Sequence, residues 1–186
     1  MISSFSRAVA FSVILATAGL TAGIAQAQSG DQSTGQSSNR VAADTDWSVF
    51  VDQNPTECWA VSAPKQTVNT KDGKPVSVRR GDIRLFVFYR PSENVSGQVA
   101  FTGGYPFASG STVTVDVGGT KFQLFTQGEW AWPATPQDDA TIATAMKSGA
   151  TAVVTGLSGR GTQTEDTFSL LGFTAAIEEA AKRCAN

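Results

Sequence analysis

Along most of the chain, short apolar runs rich in Val, Phe and Thr alternate with Gly, Pro, Asn and Asp. That rhythm predicts strands separated by turns. The first run is 47–51 (WSVFV), stopped by Pro55, and the second is 57–61 (ECWAV), stopped by Pro64. An Asp72-Gly73 step marks a tight turn. Val76 and Val78 alternate with Ser77 and Arg79, and 83–89 (IRLFVFY) is almost continuously apolar. A run apolar on both faces predicts a central strand covered from both sides. Further on, Val113, Val115 and Val117 share one face while Thr112, Thr114 and Asp116 share the other. Gly118-Gly119 then turns the chain back into 121–126, which predicts a hairpin. Segments 98–102, 152–155 and 167–171 complete a set of seven to nine strands.

Two stretches break the period of two. Thr135-Pro136-Gln137-Asp138 opens a helix, with Thr135 at the N-cap, Pro136 at the first helical position and Asp138 placed to cap back. Ile142, Ala145 and Met146 share its apolar face and Gly149 ends it. From Thr174 to Cys184, Ile177, Ala180, Ala181 and Cys184 fall on one helical face. Glu178 and Glu179 precede Lys182 and Arg183 by one turn, which suits both pairing along the helix and its dipole. The expected fold is mainly β, an antiparallel β-sandwich or rolled sheet of seven to nine strands with two short helices, one of them C-terminal.

The first 44 residues follow different rules. One positive charge at Arg7 precedes an apolar stretch, 8–24, that ends in Ala25-Gln26-Ala27, the small-x-small pattern of a signal peptidase site. Residues 1–27 therefore read as a cleavable signal peptide, cut after Ala27, rather than as a membrane anchor. Residue 28 is Gln and not the cysteine of a lipoprotein. Residues 28–44 are Ser/Gln-rich with no apolar period and read as a flexible leader. The single domain is expected at 45–186. The expected location is the periplasm or, by further export, the cell surface, with no transmembrane segment in the mature chain.

An exported chain changes the reading of its two cysteines. In an oxidising compartment Cys58 and Cys184 have one intramolecular pairing open to them, enclosing nearly the whole domain. Free thiols or intermolecular links are the alternatives. Cys184 lies on the apolar face of the last helix, so the bridge would tie that helix to the second strand.

Composition removes most catalytic chemistry. The chain has no histidine, which excludes Ser-His-Asp and Cys-His catalysis and the common zinc sites. The formal net charge of −2, with no basic run, leaves nucleic acid without an electrostatic footprint. Paired acids remain as candidates for glycoside hydrolysis: Asp138/Asp139, Glu165/Asp166, Glu178/Glu179, and Glu129 beside Trp130. Adjacent acids point apart, and solvated surface positions are the simpler reading for each. No catalytic, cofactor-binding or metal-binding residues are assigned, and the chain is not expected to be an enzyme.

Contact chemistry is better represented. Trp130 and Trp132 stand two residues apart, hence on one face if the segment is extended, and Tyr105-Pro106-Phe107 lies in a glycine-flanked loop. Exposed, these rings would make a partner- or glycan-contacting patch. Buried, they would close one end of the core, the commoner fate of large aromatics. Arg160, within Gly156-Leu-Ser-Gly159-Arg160-Gly161, reads as part of a turn, with anion binding as the functional alternative. Trp130, Trp132, Tyr105, Phe107 and Arg160 are thus the candidate partner-binding residues. The partner would be an envelope or surface protein or a glycan.

Several segments occur together in an order that carries a resemblance. They are Cys58-Trp59, Val78-Arg-Arg-Gly-Asp-Ile83, Gly104-Tyr-Pro-Phe107, Phe125-Thr126 through Trp132-Pro133, Ala145-Met-Lys-Ser-Gly149, Ser158-Gly-Arg-Gly-Thr162, Asp166-Thr-Phe-Ser-Leu170 and Gly172-Phe-Thr-Ala-Ala176 with Cys184. In this the chain resembles the invasion-associated locus B family of bacterial envelope proteins, from about Trp47 to Cys184. The resemblance implies an exported β-rich domain in the periplasm or at the cell surface. The family takes its name from a member linked to host-cell entry and supplies no catalytic residues to carry over.

Overall fold

A computed structural model describes residues 39–185. The signal peptide expected at 1–27, and the leader as far as residue 38, lie outside the described residues. Twelve strands form one sheet: β1 (Arg40–Asp44), β2 (Trp47–Gln53), β3 (Thr56–Ser62), β4 (Gln66–Lys71), β5 (Lys74–Pro75), β6 (Arg84–Arg90), β7 (Val95–Thr102), β8 (Thr112–Val117), β9 (Thr120–Gln127), β10 (Trp130–Trp132), β11 (Thr151–Leu157) and β12 (Gln163–Ser169). Their spatial order is β1-β2-β3-β6-β7-β10-β9-β8-β11-β12-β4-β5, antiparallel throughout. The helices are α1 (Pro136–Ser148) and α2 (Phe173–Cys184).

Twelve strands in one sheet replace the expected seven to nine. The additional strands are those whose sequence carries little alternation. β4 (QTVNTK) is almost wholly polar, β5 has two residues and β10 three. β1 arises from residues 40–44, which polar context had joined to the leader; Ala42, Ala43 and Asp44 pair with Val49, Ser48 and Trp47. Conversely, the alternation at Val76 and Val78 forms no strand. Residues 76–83 cross between β5 and β6 as irregular chain, tied by the Val76 N–H to the Asn69 carbonyl and the Gly81 N–H to the Gly104 carbonyl, each at 2.9 Å.

Among the described residues there is no second sheet to make a sandwich. β7 and β12 are five steps apart in strand order, a separation of about 24 Å in a flat sheet. Yet Phe101 of β7 and Phe168 of β12 meet edge to face with ring centroids 6.1 Å apart. The sheet therefore curls until its inner face meets itself. The Trp47 indole N–H closes the curl further by donating to the Ser169 carbonyl at 3.0 Å. Val49, Leu85, Val87, Val99, Val113, Val115, Leu124 and Val154 fill the interior, all fully buried. The Val113/Val115/Val117 face and the Gly118-Gly119 hairpin to β9 stand as the alternation predicted.

Both helices follow their sequence signals. The Thr135 hydroxyl accepts from the Asp138 N–H at 3.2 Å and donates to the Asp138 carboxylate at 2.7 Å, with Pro136 first in the helix. α2 buries Phe173, Ala176, Ile177, Ala180 and Cys184 against β1, β2, β3 and β6. The disulfide joins Cys184 to Cys58 of β3, with Cα atoms 5.8 Å apart. On the outer side of α2, Arg183 pairs with Glu179 at 2.7 Å, while Glu178 reaches Lys147 of α1 at 3.5 Å.

Two acids, Asp139 and Asp166, depart from the surface role expected of them. Asp139 is buried against β7, where its carboxylate accepts the Val99 N–H at 2.8 Å. The pairing of β10 to β7 ends at Phe101, so no strand backbone is there to take that N–H. Burial pushes the Asp139 carboxyl from 3.8 up to about 6, against the pull of the Val99 bond and with the neighbouring Asp138 charge adding to the rise.

Two outcomes follow. Replacing both cysteines by Ser should cost about 4 kcal/mol, because the bridge spans 126 positions and restrains much of the unfolded chain; urea unfolding would measure the loss. Folding raises the proton affinity of Asp139, so its contribution to stability is fully present below pH 3.8 and is lost as pH rises through about 6. Asp139→Asn keeps the acceptor for Val99 and is expected to raise the melting temperature at pH 7. Its advantage over the parent should shrink towards pH 4, and a pH-independent difference would exclude this role.

Candidate functional site

Besides its two backbone hydrogen bonds, the irregular 76–83 segment is held down by one buried, charged side chain. Arg80 turns inward and grips Asp166 of β12 in a two-pronged contact, Nη1 to Oδ1 at 2.7 Å and Nη2 to Oδ2 at 2.6 Å. The side chains are 6% and 0% exposed. The same guanidinium donates to the Gly103 carbonyl at 2.9 Å and to Asn69 Oδ1 at 3.3 Å, so the planar five-donor fork meets several acceptors at once. Burial pushes the Asp166 carboxyl up, opposed by Arg80. The Arg80 guanidinium also lies over the Tyr105 ring, 5.1 Å from its centroid, and the Tyr105 hydroxyl shares a 2.6 Å hydrogen bond with Thr164. Gly104, at φ +71°, lets the backbone close on this cluster: a Cβ there would stand 2.6 Å from the Gly81 carbonyl.

Above this pinned floor opens a pocket of about 580 Å³, with Arg79, Arg160, Glu129 and Pro106 among its walls. The 158–162 turn is fastened by the Ser158 N–H to the Thr162 carbonyl at 2.8 Å and the Thr162 N–H to Ser158 Oγ at 3.0 Å. Lys71 Nζ donates to the Arg160 carbonyl at 3.0 Å.

The second feature is the outer face of the curled sheet. Inner-face residues of β6 are Leu85 and Val87; Phe86 and Phe88 point the other way and lie outside the core cluster. They belong to an aromatic row that crosses the strands. Phe50 of β2 stacks on Trp59 of β3 at 5.5 Å, Trp59 meets Phe88 at 6.4 Å, and Phe88 stacks on Phe86 at 5.0 Å. Phe86 then reaches Trp130 of β10 at 5.6 Å, although β7 runs between them. The small Ala100 of β7, opposite Phe86 in the ladder, leaves room for those rings to meet. Trp132 packs edge to face on Phe125 of β9 at 4.9 Å. A cleft of about 360 Å³ lies among Phe88, Arg90, Gln98, Ala100, Trp130 and Trp132. Arg90 is fixed at its edge by Glu57 at 2.9 Å and Gln98 at 3.2 Å, with its guanidinium 4.4 Å from the Phe88 centroid.

The candidate residues from the sequence thus divide between two places. Trp130, 39% exposed, and the half-buried Trp132 sit on the outer face and do not plug the core. Phe107 does plug it, against Phe101 at 6.2 Å and Tyr105 at 5.1 Å. Tyr105 and Arg160 belong to the Arg80 corner. The doubly apolar 83–89 run is explained by aromatic neighbours on the outer face of the same sheet, and among the described residues no second layer covers it. Sequence reasoning passed over Phe50, Trp59, Phe86, Phe88 and Phe125 as face members, and Arg80 with Asp166 as a pair. The apolar outward positions of β6 were the legible sign of the row; the ion pair, 86 residues apart, left none.

The acid pairs do not converge. Asp138 caps α1 while Asp139 holds Val99; Asp166 holds Arg80 while Glu165 is exposed on the opposite face of β12; Glu178 and Glu179 pair with Lys147 and Arg183. Among the described residues, no group of three or more metal-ligating side chains occurs and no helix is long and apolar enough to cross a membrane.

Fold and surfaces define a disulfide-closed, curled antiparallel β domain whose outer face is aromatic. The family model described as Invasion associated locus B (IalB) protein matches residues 47–181, and the chain belongs to that family. No curated protein and no solved structure matches it.

Asp166→Ala should destabilise the fold by about 3–5 kcal/mol by stranding the Arg80 charge. The double replacement Arg80→Met with Asp166→Leu should cost less than that single change, as read by urea unfolding. An equal or larger loss in the double variant would assign the main role to the bonds from Arg80 to Gly103 and Asn69.

Proposed function

We propose that this protein is a non-catalytic, exported interaction domain of the cell envelope that binds a surface protein or glycan through its outer aromatic face. The carrying observation is the row from Phe50 to Trp132, an aromatic surface left partly open to solvent with Trp130 and Phe125 its most exposed rings. Trp and Arg dominate the energetics of protein interfaces, and this face presents both, with Arg90 fixed beside the cleft. Flat rings beside an amide and a guanidinium also suit the faces and hydroxyls of a sugar. The engagement of Asp138, Asp139, Asp166, Glu178 and Glu179 by a helix cap, backbone and basic partners supports a role in binding over carboxylate hydrolysis. The signal sequence supports export, and the family description, invasion associated, points to contact with a host cell as one setting for it.

Crosslinking in intact cells, followed by envelope fractionation and capture of the protein, tests this reading. The captured chain is expected to begin at Gln28 and to bring down a specific envelope or surface component. Trp130→Ala and Trp132→Ala should each weaken that capture about tenfold or more, with the melting temperature within a few degrees of the parent. Recovery only as a soluble periplasmic monomer, or capture unchanged in both variants, would remove the aromatic face from the function.

A further inference from the structure

The pocket over the Arg80 corner shares no lining residue with the cleft on the aromatic face, and its chemistry is different. The Arg80 charge is already matched by Asp166. Arg79 and Arg160 are exposed side chains on the pocket wall, and neither guanidinium has an ion-pair partner among the described residues. They come from separate parts of the chain, the β5–β6 connection and the β11–β12 turn. The second of these is fastened through its backbone, with Gly159 N–H donating to the Pro106 carbonyl at 2.9 Å. Lys71, anchored on the Arg160 carbonyl, adds a third positive charge beside the pocket. One acid, Glu129, shares the wall and likewise has no cationic partner.

This arrangement selects among ligands. The excess of positive charge favours an anion, and guanidinium groups bind carboxylate and phosphate oxygens well. A bare anion would meet repulsion from Glu129, whereas a ligand carrying hydroxyl donors can satisfy that carboxylate at the same time. A zwitterion could also engage Glu129, but it is neutral overall and would leave the positive excess uncompensated. Ser77 offers a further hydroxyl, and Pro106 an exposed apolar surface. The volume of about 580 Å³ falls within the ~300–1,000 Å³ typical of small-molecule sites. We propose that this pocket binds an acidic sugar, its carboxylate or phosphate held by Arg79 and Arg160 and its ring hydroxyls by Glu129. The Arg80–Asp166–Tyr105 cluster is the positioning floor and does not contact the ligand's charge. The site is independent of the aromatic face, so failure of either proposal leaves the other standing.

The test uses the disulfide-bonded protein purified from producing cells and four probes: glucuronate, glucose 6-phosphate, glucose and inorganic phosphate. Amide chemical shifts at 79–81 and 158–162 report occupancy of this pocket. One or both sugar acids should saturate the site at least tenfold more tightly than glucose or inorganic phosphate, and the better one identifies the anionic group. Arg79→Gln and Arg160→Gln should each weaken that binding about tenfold, with an unchanged amide spectrum elsewhere. Glu129→Gln should weaken the sugar acid severalfold without weakening inorganic phosphate. The proposal is overturned by absence of saturation with both sugar acids, by unaltered affinity in both arginine variants, or by inorganic phosphate binding as tightly as the sugar acids. Tighter sugar-acid binding in Glu129→Gln would overturn it too, since the carboxylate would then only repel.

Discussion

The contact on which this architecture turns is the buried fork of Arg80 on Asp166. Residues 76–83 have no ladder of their own, so beyond two backbone hydrogen bonds their position depends largely on what one arginine reaches. Its guanidinium collects β12 through Asp166, β4 through Asn69 and the chain after β7 through Gly103. Elements distant in strand order are thereby joined at one corner, and the irregular crossover becomes a fixed wall. Removing an ion pair from water is costly, and the cost is offset by close pairing and by further hydrogen bonds to the remaining donors. Here four hydrogen bonds and the Tyr105 ring supply that compensation.

From that corner the remaining geometry follows. The curl brings Phe101 onto Phe168, and α2 covers the β1–β2–β3 side, where Phe173 meets Trp47 at 4.9 Å and Cys184 bonds Cys58. The interior is accordingly aliphatic and aromatic, drawn from one face of the sheet and the buried faces of both helices. Among the described residues no helix covers the other face, because both helices pack on the inner side and its end: α2 on β2 and β3, α1 on β7. Its apolar positions are left to cover one another, ring on ring, which explains why they are aromatic. Large flat side chains reach across the ~4.8 Å strand spacing and over Ala100, and stack where smaller ones would stand apart. Two surfaces result, one aromatic and one cationic, with adjacent residues Trp130 and Glu129 lining one cleft and the other pocket.

Much of the fold was legible in the sequence because its signals are local. The Val113/Val115/Val117 alternation, the Gly118-Gly119 turn, the Thr135-Pro136 helix start and the i, i+3, i+4, i+7 face ending at Cys184 depend on neighbours within a few residues, and each appears where the pattern placed it. The pairing of Cys58 with Cys184 followed from there being two cysteines and an expected export signal. Strands β4, β5 and β10 were not legible. Their residues are polar or too few to show a period, and they are strands because a neighbouring edge supplies their hydrogen bonds.

What the chain by itself determined, then, was the kind of element at most positions, the bridge, and the removal of histidine-based chemistry. Tertiary structure alone decided which face of the doubly apolar β6 meets the core and which distant charges meet at all. Alternation states that Phe86 and Leu85 point opposite ways, but the direction of the curl decides which of them is buried. Asp139 and Asp166 read as ordinary surface acids until β7 and the 76–83 crossover are packed over them. Such contacts depend on the order and curvature of twelve strands, a property of the whole sheet that no short window of sequence contains.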